Sequence, residues 1–247
     1  MSTDGLTHHI SSRYNEELER VRGSVLEMGG LVERQLSQAL RGITEADAGV
    51  IARVAEQELR VNQLERQIDE DCGRILATRG PAASDLRLII MILKTITDLE
   101  RIGDEDEKIA AIAARLATRE RPHSGYRELR NLGGLVLGMV HDTLDAFARL
   151  DTGLALQVLR RDRTVDEEYE GIHRQSITFM MEDPRSIRRA LDVMWVVRSL
   201  ERIGDHSKNI CEYVIYLVHG KDVRHVRIEQ IEQELLAAGT PSARTTA

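Results

Sequence analysis

The hexapeptide LERIGD stands at residues 99–104 and again at 200–205. Each copy sets two acidic side chains four residues apart in a helix-like stretch, where like charges repel by about 0.2–0.5 kcal/mol. Each also holds a mid-helix glycine, worth roughly 1 kcal/mol less than alanine there. A chain that carries this combination twice meets the same demand twice. The hexapeptide belongs to a longer repeat. MGGLVERQL at 28–36 aligns with LGGLVLGMV at 132–140, and LRVNQLE at 59–65 with RTVDEEY at 163–169, both 104 residues apart. The offset narrows to 103 at Pro81 and Pro184 and to 101 at LERIGD, so the second copy has the shorter connection near its proline. The fold is therefore constrained to two versions of one unit.

Within each unit the apolar residues recur at helical spacing. LVERQLSQALRGI places Leu31, Val32, Leu36, Ala39, Leu40 and Ile43 on one side, with Gln35 as a polar lapse. The next stretch continues with Ile51, Val54, Ala55, Leu59, Asn62, Leu64, Ile68, Cys72 and Ile75. Pro81, Pro122 and Pro184 fall between such stretches. Start signals accompany them: Thr44 with Asp47 as a capping box, Ser84–Asp85, Asp151, and Asp183 before Pro184. No β-type alternation persists. The expectation is an all-α fold of six long helices in two tandem pseudo-symmetric three-helix bundles, about residues 10–118 and 124–220. Residues 221–247 form a tail with a short helix and a polar end expected to fray.

Composition agrees. Aromatics are only 3% of the 247 residues, so the core must be aliphatic, which suits helix bundles better than sandwiches. A net charge of −7 and few stacking side chains argue against nucleic acid as a partner. Cys72 and Cys211 have no metal-type spacing and read as buried thiols in a reducing compartment. No secretion signal is visible at MSTDGLTHHI, and the apolar runs are too short to span a bilayer. A cytoplasmic protein is expected, with membrane attachment only through partners.

The repeated face carries the chemistry. Glu100 and Asp104 project from one side of a helix, as do Glu201 and Asp205, because residues four apart differ by only 40°. Glu107 extends the first row; Lys208, Asn209 and Glu212 follow the second. The preceding helix adds Glu58 and Asn62 in the first unit and Asp162 and Asp166 in the second. Antiparallel neighbours would let these carboxylates face each other. Such a cluster raises its own pKa values unless a cation sits in it. All-oxygen donors suit Mg²⁺, Mn²⁺ or iron, with zinc a lesser fit.

Other readings stand beside this one. Glu–Arg-rich helices form local ion pairs: Arg101 with Asp98 or Glu105, Arg202 with Asp205. Gly103 and Gly204 would serve close helix approach. A di-iron enzyme needs two Glu-x-x-His helices, and EGIH at 170–173 is one good copy, while ERPH at 120–123 contains a proline. His141, His173 and His206 read as surface or structural residues.

The doubled ERIGD on a duplicated three-helix unit resembles the PhoU family of phosphate-signalling regulators. So do the stretches MGGLVERQLSQAL, ASDLRLIIMILKTITDLERIGD, HDTLDAFARLD, VDEEYEGIHRQSITFMMEDPR and SLERIGDHSKNICEYVIYLVHGKDVRHV, which are of proteobacterial type. The resemblance implies surface metal sites at Glu100 and Asp104 with Glu58 and Asn62, and at Glu201 and Asp205 with Asp162 and Asp166. Asn62 stands where the second unit has Asp166, so the first site should hold a cation less strongly. It implies a non-enzymatic negative regulator of the phosphate-starvation response. Such a protein links the ATPase of the phosphate ABC transporter to a sensor histidine kinase, is peripheral to the inner membrane, and forms a homodimer. The alternative from another class is a helical carboxylate-bridged metalloenzyme acting on phosphate compounds.

Overall fold

Leu18, Val21, Val25, Met28, Val32, Leu36, Ala39 and Ile43 recur every three or four residues, and all eight are buried. That stripe makes the first helix. A computed structural model describes residues 4–45, 47, 49–118, 126–224 and 226–239, with side chains described from residue 14 to residue 233 of these. The helices are α1 (Asp4–Glu45), α2 (Val50–Arg79), α3 (Ala83–Ala117), α4 (Arg127–Arg149), α5 (Thr152–Glu182), α6 (Ile187–His219) and the short α7 (Ile228–Gly239). A single 3₁₀ turn at Pro184–Ser186 leads into α6. No strand occurs among the described residues. The architecture is the expected all-α pair of three-helix bundles: α1–α3 pack together, α4–α6 pack together, and α7 lies against α5. The polar end at 240–247 lies outside the described residues.

Some local expectations shift. On α2 the inward stripe is Val50, Val54, Glu58, Val61, Leu64, Ile68, Cys72 and Ile75. Ile51 and Leu59 face outward, Leu59 at 68% exposure. A run with apolar residues on adjacent positions fits two stripes offset by one residue, and packing chooses between them. Thr44 stays inside α1, its hydroxyl donating to Arg41 O at 3.1 Å, while Asp47 alone receives Gly49 N at 2.8 Å. α3 opens at Ala83 with no side-chain cap, so Ser84 does not cap it. Asp151 and Asp183 do cap, accepting Leu154 N at 2.9 Å and Arg185 N at 3.0 Å.

The bundles meet along α3–α6 and α1–α4. Both pairs run antiparallel. Along α3, Asp98 meets His206, Glu105 meets Arg202 at 2.7 Å, and Arg115 meets Asp192 at 3.1 Å. Rising numbers on one helix match falling numbers on the other, so the two LERIGD segments cross at mid-seam. The repeated glycine pairs explain the second contact. A methyl at Gly29 would collide with Leu144 Cδ2, and one at Gly133 would lie 2.6 Å from Leu40 Cδ2. Gly29 and Gly133 are repeat equivalents, as are Leu40 and Leu144. Each helix thus sets a leucine into the notch of the other. Glu33 and His141 pair at 2.9 Å beside them.

Candidate functional site

In the first bundle the site begins at a missing side chain. Gly103 carries no Cβ, and one placed there would lie 2.5 Å from Glu58 Oε2. The glycine of the motif therefore admits a carboxylate from α2 against the α3 backbone. Glu58 is only 4% exposed. Gln35 of α1 donates to its Oε2 at 2.9 Å, and Oε1 has no hydrogen-bond partner. Burial pushes the Glu58 pKa up to about 7; the Gln35 bond opposes this, and Glu107, Asp104 and Glu100 add to it. Glu100, half-buried on α3, is also raised, chiefly by burial and then by Asp104 and Glu65. Asp104 is exposed, and Asn62 is half-buried one turn after Glu58. The carboxylates expected on α2 and α3 thus lie in one another's field, joined by Glu65.

Asp106 was not foreseen. It is fully buried, neither carboxylate oxygen has a hydrogen-bond partner, and its pKa is driven well up by burial, then by Glu58 and Glu105. The signal was present in the sequence. Asp106 falls on the apolar stripe of Leu99, Ile102, Ile109 and Ala113, where a carboxylate is out of place. Gln35, the polar lapse on α1, serves the same pocket.

The second bundle repeats the frame with one change. Asp162 of α5 is 4% exposed and faces Gly204, whose Cβ would sit 3.9 Å from Asp162 Oδ1. Asp205 and Asp166 are raised by burial first and by Asp162 next. Glu201 is raised by burial and then by Asp205, while its buried Oε2 accepts no hydrogen bond and lies 3.9 Å from Arg198 Nε. However, Lys208 Nζ donates to Asp162 Oδ2 at 2.6 Å. Burial works against the charge on Lys208, but the bond and field of Asp162, with Asp205 and Glu212, outweigh it and raise its pKa. The residue at this place in the first repeat is Glu107. The second trough therefore holds a directly bonded cation at a position where the first repeat has a carboxylate.

Neither trough is a tight cage. Among the described residues no three His, Cys, Asp or Glu side chains are gathered as a metal's ligands would be. The donor chemistry nevertheless fits a hard divalent ion, since the available groups are carboxylates and an amide, two of them with buried oxygens that accept no hydrogen bond. The remaining candidates have structural places. Arg202 crosses the seam to Glu105 instead of pairing with Asp205 in its own helix. His206 Nδ1 donates to Asp98 at 2.8 Å, and His173 lies beside the Tyr169 ring at 5.9 Å. ERPH at 120–123 lies outside the described residues. Cys72 and Cys211 are buried free thiols, each pushed up to about 12, mainly by burial.

Comparison with known proteins places this geometry. The PhoU domain family matches residues 25–113 and 129–214. A Pseudomonas putida protein named phosphate-specific transport system accessory protein PhoU homolog is 53% identical over 98% of this chain and 95% of its own length. The Escherichia coli K12 phosphate-specific transport system accessory protein PhoU is 46% identical over 98% of this chain and 99% of its own. The crystal structure of PhoU from Pseudomonas aeruginosa superposes with a TM-score of 0.82 at 54% identity, covering 84% of this chain and all of that one. The regulatory protein PhoU from Streptococcus pneumoniae does so at 0.78 and 30% identity, over 85% of this chain and 99% of that one. With matched halves, a shared fold and near full-length identity, the chain belongs to the PhoU family.

Proposed function

We propose that this protein is an accessory regulator of phosphate transport, acting as an adaptor without catalysis of its own. The observation that carries this is the likeness, over nearly the whole chain, to proteins named as accessories of the phosphate-specific transport system. In this reading it couples the ATPase subunit of the phosphate ABC transporter to a sensor histidine kinase and keeps the starvation response off when phosphate is plentiful. It would work at the cytoplasmic face of the inner membrane, reached through these partners, and as a homodimer. No helix among the described residues is long and apolar enough to cross a membrane. The alternative of a metalloenzyme on phosphate compounds is less favoured, because Asp104 and Asp205 stand exposed on open helix faces. Catalysis of that kind gains from a water-excluded site.

The test is co-purification of the tagged protein from membranes at high and low phosphate. Recovery of transporter and kinase together at high phosphate is expected; recovery of neither at either level would overturn the adaptor reading.

Against the expectation drawn from Asn62, we infer that the family's metal fits the first trough better, because Lys208 already bonds to Asp162 in the second. Glu58, Glu100 and Asp104, with Asn62 beside them, would hold a divalent ion, which would offset the burial and mutual repulsion of these carboxylates. In the second, Glu201, Asp205, Asp162 and Asp166 already share Lys208. Elemental analysis of protein purified without chelator should show a larger loss of divalent metal in E100A/D104A than in E201A/D205A. Unchanged content in both would remove the metal sites.

A further inference from the structure

The two bundles differ at one end, and the difference leaves a groove. α4 begins at Arg127, whose repeat equivalent is Gly23, whereas α1 is already helical from Asp4. In the first bundle the first turns of α1 cover the far end of α2 and the start of α3. Leu18 and Val21 are buried there, and Tyr14 packs on the core and bonds to Asp85 at the head of α3. Glu17 takes a forked pair from Arg79, at 2.7 and 3.0 Å.

The equivalent end of the second bundle is more exposed at its described residues. Ile75 of α2 is 1% exposed, whereas its equivalent on α5, Phe179, is 49% exposed. A cavity of about 410 Å³ opens there, walled by Leu129, Ile172, Ser176, Phe179 and Val193. That volume is in the range of ligand sites. Where Tyr14, Leu18 and Val21 would recur, the sequence has Thr118, Pro122 and Gly125, none with a large apolar side chain. The charge is reversed as well. In the helical register that pairs Ile75 with Phe179, Asp183 stands in place of Arg79, and among the described residues the lining carries Glu128, Glu182 and Asp183 with one base, Arg189.

The geometry points to an amphipathic helix of a partner protein as the occupant of this groove. It presents apolar side chains at i, i+4 and i+7, as Tyr14, Leu18 and Val21 do, and a lysine or arginine at i+3 facing Asp183 and Glu182. This is helix-in-groove recognition, with the acidic rim selecting a basic helix. The groove is separate from both carboxylate troughs.

A labelled synthetic peptide with the sequence of residues 8–26 carrying Glu17→Lys is the probe, titrated against the full-length protein by fluorescence anisotropy at low salt. Binding is expected, about threefold or more tighter than for the unchanged sequence, the size of a rim charge effect. It should weaken about tenfold or more with Phe179→Glu, as loss of an anchor does. Glu182→Lys, at an exposed position, should reverse the preference and favour the Glu17 peptide. The proposal is overturned by any of four results. The peptide does not bind; or Phe179→Glu leaves binding unchanged, which would place the peptide on the first bundle; or binding appears only after residues 119–125 are replaced by Gly-Ser, which would make the chain's own linker the occupant; or sedimentation shows self-association that Phe179→Glu abolishes, which would make it a second copy.

Discussion

Replacing Asp98 by alanine is expected to lower the unfolding free energy by about 3–5 kcal/mol, the usual effect of removing one side of a buried charge-assisted set. Asp98 is 3% exposed at the α3–α6 seam. Its Oδ1 accepts from His206 Nδ1 at 2.8 Å and from Asn209 Nδ2 at 3.2 Å, and Tyr213 bonds to the same carboxylate. One truncation strands three groups of α6 between the bundles. The midpoint of thermal unfolding should fall by roughly 10 °C for a chain of this size. Because the lost contacts join the bundles, urea unfolding should also broaden or split into two steps. Asp98→Asn keeps one acceptor and should lie between. Ser199→Ala, at the repeat-equivalent place, should cost about 1 kcal/mol or less. Equal losses for Asp98→Ala and Ser199→Ala would refute the role given to Asp98.

The second large effect concerns Glu58 and Asp106. Both carboxyls have folded pKa values above their unfolded ones, Glu58 at about 7 against 4.5. A raised carboxyl binds its proton more tightly in the folded state. Its stabilising contribution is complete below the unfolded value and is lost as pH rises through the folded one. Chelator-treated protein should therefore lose stability from about pH 5 to pH 8, by on the order of 2–3 kcal/mol from Glu58 alone. The E58Q/D106N variant has no proton to lose at either position. The two proteins should melt at similar temperatures near pH 5, and the variant should melt several degrees higher at pH 8. A divalent ion in the first trough would narrow that gap in the wild type only. Parallel melting profiles across this range would show that neither carboxyl is held as the geometry indicates.

The grouping of the candidate site's side chains was largely readable from the chain. The glycine and carboxylates of LERIGD do lie where α2 brings Glu58, because helical spacing fixes which side chains share a face and the repeat fixes which helices belong together. Spacing misled where apolar residues sit side by side, as at Val50–Ile51, and where a carboxylate takes the inward place beside an exposed leucine, as at Glu58–Leu59. Lys208 was visible in the row after Asp205. That it reaches back to Asp162 and supplies the cation of the second trough required the distance between α5 and α6.

By itself the sequence determined the helices, their grouping into two like units, and the two acidic faces, since each follows from side chains three or four residues apart or from the repeat. Tertiary structure alone decided that the two motifs cross on antiparallel α3 and α6 and that Arg202 and His206 serve the seam. Those outcomes depend on contacts between residues about a hundred positions apart. Helical periodicity carries no information about which partner lies across such a gap, because the energy is settled by shape and charge at the packed surface.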